Sequence, residues 1–300
     1  LLLCGSGLNG EVESIMLPHQ DDEILAKFEE SLSQRALASS TIVNYLADLR
    51  AFRRWARQRV SPGFSLVNIN QEHVRQYRTH LAKELERAPS TTNRHIMALR
   101  KFFMFATELN IVTADPTAGV ALLAEAQQPA TGVLAEGDVE KLLLAAQNGS
   151  RAGLVRRDVA ILQLLLRTGL RVSEVVELQK TDLVFDNPGV HLQVSSGQNQ
   201  SRRLPVPGEL CKVLVDYLNF RPQTSSPHFF LNQDGGPISK RTVQRIVGDC
   251  AKIAGVDGVS PQMLRRTFAR QLYEKTQDLA LVSKRLGHQN TAITEQYLSL

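Results

Sequence analysis

Apolar side chains recur at three- and four-residue spacing along almost the whole chain, and the period shifts to that of strands only between residues 182 and 206. Such a pattern fits helices packed on helices, with one small sheet inserted. Ile24, Leu25, Phe28 and Leu32 form a first apolar stripe, and Ser39-Ser40 offers a cap to a longer helix carrying Ile42, Tyr45, Leu46, Leu49, Phe52 and Ala56 on one face. A third helix shows Val74, Tyr77, Leu81 and Leu85. A fourth opens after Pro89 with Ser90 as cap and buries Ile96, Leu99, Phe102, Phe103 and Ala106. Asp115-Pro116 stops this bundle, and residues 124–132, with Gln127-Gln128-Pro129-Ala130-Thr131-Gly132, read as an exposed linker.

The second body begins with a capped helix after Leu134, its first turn acidic (Glu136, Asp138, Glu140), as the helix dipole favours. Arg157 to Thr168 is a strongly apolar helix ended by Gly169, and Ser173 can cap the next short one. Asp182–Phe185, Val190–Val194 and Arg203–Val206 read as strands, with turns at Asn187-Pro188-Gly189 and Ser195–Gln200. Helices resume at about 208–220, 239–254, 261–273 and 278–286. The expected fold is mainly α, of α+β type: an all-helical N-terminal bundle, then a mostly helical domain with a small antiparallel sheet. Residues 1–16 are expected to be a disordered acidic lead, 17–123 the bundle, 124–132 the linker and 133–300 the second domain.

Charge is distributed unevenly. The net +5 resolves into five acids and no Lys or Arg in residues 1–23, followed by two bodies, 24–128 and 129–300, each about five units basic. The second helix carries Arg50, Arg53, Arg54 and Arg57 beside its apolar face, and the fourth carries Arg94, Arg100 and Lys101. Two basic stripes in one small bundle fit a surface that tracks phosphates. Cys4, Cys211 and Cys250 form neither a metal-spaced set nor a disulfide framework, so a reducing, cytoplasmic setting is expected. No apolar run approaches the roughly 20 residues of a membrane span. The missing initiating Met suggests a trimmed or incomplete chain.

Four residues of the second body carry the chemistry. Arg171 lies in Thr168-Gly169-Leu170-Arg171-Val172-Ser173-Glu174, Arg265 in Leu264-Arg265-Arg266-Thr267-Phe268-Ala269, and His288 ends Leu286-Gly287-His288; Tyr297 follows nine residues on. Cleaving a phosphodiester needs compensation for the negative charge that builds on the phosphate oxygens. Two planar, permanently charged guanidiniums can grip both non-bridging oxygens, an imidazole can add a hydrogen bond, and a phenol can attack in line. A phosphotyrosine link keeps the energy of the broken bond, which suits strand exchange better than hydrolysis.

These words, in this order, resemble the tyrosine recombinases of the Xer and phage-integrase type. The resemblance runs from residue 17 to 300 and includes Thr41, Tyr45, Asp48-Leu49, Phe52 and Trp55, which are similar to the family's core-binding domain. It implies a clamp of two domains around duplex DNA, four protomers acting on two duplexes, and no metal or nucleotide cofactor. It implies that Arg171 and Arg265 bind the scissile phosphate, that Glu174 orients the neighbourhood of the first arginine, that His288 contacts a non-bridging oxygen and that Tyr297 forms a 3′-phosphotyrosine. Arg202 and Arg203 are expected to join the DNA-contacting residues.

The chain departs from the family pattern at two positions. The second box usually has a histidine three residues before its arginine; here that residue is Gln262, which cannot transfer a proton at neutral pH. The family's general-acid lysine sits on a strand turn that aligns here with Gly197, and no Lys lies between Lys180 and Lys212. Positioned acid–base catalysis contributes roughly 10²- to 10⁴-fold, so slow cleavage is expected if nothing compensates. Two functions fit: a site-specific recombinase, or a weakened relative that occupies recombination sites without efficient strand exchange. The chain also stops three residues after Tyr297, where the family commonly extends into a helix that packs on a neighbouring protomer, so a C-terminally truncated chain, a different tetramer contact or weak assembly is expected.

Overall fold

A computed structural model describes residues 19–35, 37, 39–124, 132–149, 152–187, 189–196 and 200–298. The expected lead at 1–16, most of the expected linker, Gly197 and Cys4 lie outside them. The chain divides into two compact units, Leu1–Gln127 and Gln128–Leu300.

The first unit is built from α1 (His19–Gln34), α2 (Ser39–Arg59), α3 (Gln71–Thr79) and α4 (Pro89–Glu108). Its core is strongly aromatic. Phe28, Phe52, Phe102 and Phe103 are at most 1% exposed, and Phe52 meets Tyr77 edge to face at 5.0 Å. Each fully buried ring contributes roughly 1.5–3 kcal/mol over an exposed one, which offsets the small size of the bundle. Two local expectations fail for identifiable reasons. Leu85 is 47% exposed because the chain widens into a π-type turn over His80–Glu84, closed by Leu85 N–H donating to the His80 carbonyl at 3.0 Å; the wider turn rotates Leu85 off the apolar stripe. Helix α4 starts at Pro89 itself, after Ala88, so Ser90 lies inside it and supplies no cap; a proline at the first helical position loses no bond there.

The second unit contains α5 (Glu136–Gln147), α6 (Val155–Thr168), α7 (Val172–Glu177), β1 (Leu183–Asp186), β2 (Gly189–Ser196), β3 (Gln200–Pro205), α8 (Gly208–Phe220), α9 (Lys240–Ala254), α10 (Pro261–Thr276), α11 (Leu279–Leu286) and α12 (Thr291–Leu298). The three strands form one antiparallel sheet in the order β1-β2-β3, with Val194 opposite Arg202 and Ser196 opposite Gln200. The mainly α architecture with a small antiparallel sheet is therefore the observed one. Strands β2 and β3 run further into their turn than the sequence pattern indicates. Helix α6 is the central element: Ala160, Ile161, Leu162, Leu164 and Leu165 are completely buried. Helix α5 follows Ala135, which makes no side-chain cap, so the capped start expected there is absent. Helix α12 has no counterpart in the expected list, yet it carries Tyr297; Asn290 Oδ1 accepts from Ile293 N–H at 3.1 Å and starts it. Among the described residues no helix is long and apolar enough to cross a membrane, and Cys211 and Cys250 are free thiols.

Candidate active site

The site forms where the end of α6, the start of α7, strand β3, helix α10 and the α11–α12 corner come together. Helix α6 ends at Gly169, whose φ of +65° is a left-handed backbone conformation that suits glycine. A side chain there would also collide with Phe268, 2.4 Å from the ideal Cβ position. The close approach leaves the Gly169 carbonyl to accept from Arg265 Nη1 at 2.5 Å. Two residues on, Arg171 is the N-cap of α7; the cap falls here and not at Ser173. Glu174 Oε2 reaches back to the Arg171 N–H at 2.7 Å.

Glu174 is the centre of the arrangement. It is 5% exposed and meets three guanidiniums: Arg202 by two bonds of 2.7 and 2.9 Å, Arg171 Nη1 at 3.2 Å and Arg265 Nη1 at 3.9 Å. Burial raises its carboxyl pKa, but the Arg202 and Arg171 contacts outweigh that and hold it below the usual range. Three positive charges against one negative leave a local excess of positive charge, a built receptor for an anion.

Arg265 is 2% exposed. Its Nη2 donates to the Leu286 carbonyl at 2.7 Å and to His288 Nε2 at 3.3 Å. Burial, together with the neighbouring Arg171 charge, pulls its pKa down to about 10, which still leaves it charged at neutral pH. An arginine can only donate, so His288 Nε2 is the bare nitrogen; Nδ1 carries the proton and donates to Thr294 Oγ1 at 2.9 Å. Burial, then the charges of Arg265, Arg171 and Arg202, lowers the His288 pKa to about 4, so the imidazole is neutral.

Tyr297, on α12, stands edge to face with His288, ring centroids 5.5 Å apart, and the Arg266 guanidinium lies 5.3 Å from its ring centre. Its hydroxyl donates to the Gln262 carbonyl at 3.5 Å. Burial raises the phenol pKa despite Arg265 and Arg266, so the hydroxyl is protonated at neutral pH. Arg171, Arg265, His288, Glu174 and Tyr297, five of the six residues expected to be catalytic, thus meet in one cluster. The sixth, Gln262, has an exposed side chain one turn before Arg265 and meets the tyrosine through its backbone carbonyl.

The expected DNA-contacting residues separate into two kinds. Strand alternation turns Arg202 inward onto Glu174, its side chain 10% exposed, while its neighbour Arg203 stays 60% exposed beside Asp186 and His191. Arg202 is therefore a member of the cluster and not an outward phosphate contact. In the first unit, Arg50 and Arg54 are exposed and make no ion pair among the described residues. Arg53 pairs with Asp22 at 2.6 Å, Arg57 with Asp21 at 3.3 Å and Arg94 with the buried Asp48 at 2.6 Å, and Arg100 Nη2 donates to the Val120 carbonyl at 2.5 Å. Lys101 is half-buried. Arg50, Arg53, Arg54 and Arg57 line one open groove with Gln58 and Pro62.

Sequence reasoning put Arg202 among the DNA contacts and not in this cluster, missed Thr294, and missed the buried role of Asp21 in the first unit. Arg202 was separable from Arg203 by strand parity. Thr294, fully buried, lies one turn before Tyr297, but only the fold shows that it meets His288. Asp21, counted only among the five acids of residues 1–23, is fully buried and accepts from Ser65 Oγ at 2.6 Å and Leu66 N–H at 2.9 Å besides pairing with Arg57. Among the described residues no cluster of metal-ligating side chains occurs.

Known proteins share this plan. Residues 132–300 match the Phage integrase family, and residues 25–110 match the phage integrase N-terminal SAM-like domain. The chain is 31% identical over 283 residues to the tyrosine recombinase XerC of Staphylococcus haemolyticus, covering 92% of each chain, and 31% identical to the tyrosine recombinase XerD of Pseudomonas putida, covering 94% of each. The fold is shared with the XerH site-specific recombinase bound to its palindromic difH substrate (TM-score 0.72, 20% identity, 92% of this chain and 81% of that one) and with a lambda integrase tetramer bound to a Holliday junction (TM-score 0.70, 20% identity, 92% and 76%). With its arginines, histidine and tyrosine assembled on that fold, the chain belongs to the phage integrase family of tyrosine recombinases.

Proposed function

We infer that this protein is a site-specific DNA recombinase that cuts and rejoins duplex DNA through Tyr297. The observation that carries the mechanism is the excess of arginines around Glu174 facing a phenol on α12. Arg171 and Arg265 hold the non-bridging oxygens of the scissile phosphate, and His288 supplies a further N–H once its proton moves from Nδ1 to Nε2 or a second proton is taken up. The Tyr297 oxygen attacks phosphorus as its hydroxyl proton passes to water, the bond to the 5′-oxygen breaks as that oxygen takes up a proton, and a 3′-phosphotyrosine holds the strand. Attack by the 5′-hydroxyl of another strand reverses the step and frees the phenol, with no outside source of energy. The residue 17–123 bundle would hold the DNA through Arg50 and Arg54, and the residue 133–300 domain would carry the chemistry. Four protomers on two duplexes complete the exchange.

The leaving 5′-oxygen must take up a proton. Arg202, one substitute for the absent lysine, has both terminal nitrogens on Glu174, and Gln262 does not ionise. This favours slow cleavage, and it is the observation that favours the second reading, a site-occupying relative. Both readings are tested with a nicked, radiolabelled duplex selected by the Tyr297→Phe chain from a random-sequence library. Covalent trapping by the unaltered chain and none by Tyr297→Phe is the expected result; no trapping by either leaves the DNA-occupying relative. A substrate with sulfur at the 5′-bridging position needs no proton to leave, and it should be cleaved about 10²-fold or more faster than its oxygen counterpart. Equal rates, with cleavage rate-limiting, would show that another group delivers the proton.

A further inference from the structure

We propose that Arg202 is a positioning residue: as the resident counterion of Glu174 it keeps the Arg171 guanidinium free for the scissile phosphate. This rests on the active-site reading above and concerns how that site is kept ready.

The geometry divides the labour between the two arginines unequally. Arg202 spends its nitrogens internally: Nη1 on Glu174 Oε1 at 2.7 Å, Nη2 on Glu174 Oε2 at 2.9 Å, and Nε on the Arg285 carbonyl at 3.0 Å. A parallel two-bond pair is the strongest arrangement open to arginine and carboxylate. Arg171 has looser tethers: 3.2 Å to Glu174, 3.4 Å to the Leu286 carbonyl and 3.5 Å to the Gly287 carbonyl, with its side chain 39% exposed. The carboxylate is thus satisfied mainly by the arginine that is 10% exposed and only weakly by the one that faces solvent.

The corner before His288 is shaped for this. Gly287 has a φ of +67°, and a Cβ built on it would lie 2.9 Å from Arg202 Nη1 and 3.2 Å from its Cζ. The guanidinium therefore lies directly against the backbone of the loop that presents His288. Glu174 is buried, so it cannot do without a partner. If Arg202 is removed, Arg265 stays held by the Gly169 and Leu286 carbonyls, 3.9 Å from Glu174, and Arg171 is the cation free to move, drawn from a single 3.2 Å contact into a full pair and away from substrate.

A charge-pair rescue tests this. With the selected nicked duplex, Arg202→Met should slow single-turnover formation of the covalent complex about 10²-fold, the scale of losing one transition-state donor. Adding Glu174→Gln to Arg202→Met should recover at least about tenfold of that loss, because no charge remains to capture Arg171. Arg202→Lys, which keeps charge without the fork, should fall between. If Arg202 merely braces the loop, the double variant is no faster than Arg202→Met, and that result overturns the proposal. A second measurement does not depend on cleavage: rotation of the Arg171 guanidinium, read by nitrogen NMR on the DNA-free chain, should slow in Arg202→Met as a full pair forms. Unchanged rotation overturns the positioning role even where wild-type trapping succeeds. Absence of trapping in the unaltered chain overturns the catalytic reading and leaves this one to the NMR result.

Discussion

The buried acids of the first unit and the buried Glu174 of the second meet arginine in opposite ways, and the number of acids near each arginine explains the difference. In the first unit Arg53, Arg57 and Arg94 meet Asp22, Asp21 and Asp48, three acids for three cations, with Arg53 also 4.0 Å from Asp21. Asp21 also takes a hydroxyl and a backbone N–H, so it ties α1, α2 and the loop at Ser65 together. In the second unit three arginines share Glu174 alone. Charge matched one to one is consumed in holding the fold; charge in excess is left for a ligand. A count of basic residues gives both units about the same surplus and hides this.

The largest effects should fall on opposite properties in the two units. Arg171→Ala removes a loosely tethered, solvent-facing guanidinium and keeps its backbone cap, so covalent-complex formation should fall about 10²- to 10³-fold with little change in melting temperature. Asp21→Ala should do the reverse. It strands Arg57, Ser65 and the Leu66 N–H, at a cost of about 3 kcal/mol, the low end for breaking a buried pair because the Arg57 side chain remains 32% exposed. Denaturant titration reads that loss, while cleavage per folded molecule should not change. A catalytic loss from Asp21→Ala as large as that from Arg171→Ala would break the comparison.

The sequence carried the helical period of both units, the strand insertion and the order of the catalytic words, because these depend on local spacing. It also carried the end of α6, since Gly169 after an apolar run is a local stop. What it did not carry depends on which distant groups meet. Asp21 reads as one more surface acid until α1 packs on α2. Thr294 is an ordinary helical residue until the α11–α12 corner brings His288 to it. Leu85 fits the helical stripe of its neighbours, and only the wide turn at His80–Glu84 takes it out. Arg202 and Arg203 are adjacent and chemically identical, so their opposite fates follow from strand parity, which the residues alone suggest but composition does not.

A smaller effect concerns two histidines in the two settings. Burial lowers the pKa of both His95 and His288; at His95 Asp48 opposes that shift while Arg94 and Arg87 add to it, whereas around His288 Arg265, Arg171 and Arg202 all add to it and no acid opposes it. The folded-state value of His288 is about 4, below the ordinary value of about 6.5 in an unfolded chain. Above the unfolded value both states are neutral and the group contributes no pH dependence. As pH falls from about 6.5 toward 4, the unfolded chain binds a proton that the folded chain refuses, so stability is lost across that window. Denaturant midpoints at about pH 7 and about pH 5 should therefore lie further apart for the unaltered chain than for His288→Asn, and His95→Asn should narrow the gap less. An equal narrowing by both would mean that Asp48 does not offset the burial of His95.

The smallest effect lies inside the first unit and tests whether neighbouring arginines on one helix are equivalent. Arg54 is exposed and makes no ion pair among the described residues, whereas Arg53 sits 2.6 Å from Asp22. Affinity for DNA depends on salt through the counterions released when cations neutralise phosphates. A free arginine on the binding face contributes about one unit to the slope of log affinity against log salt concentration. One already neutralised by a carboxylate releases less, since Asp22 must be displaced or carried into the phosphate field. Arg54→Ala should therefore lower the slope by about one and Arg53→Ala by clearly less, read from binding isotherms on one duplex over a range of salt. Equal slopes for the two variants would mean that Asp22 lets go of Arg53 on the DNA, and the one-to-one pairing of this unit would then be a property of the free protein alone.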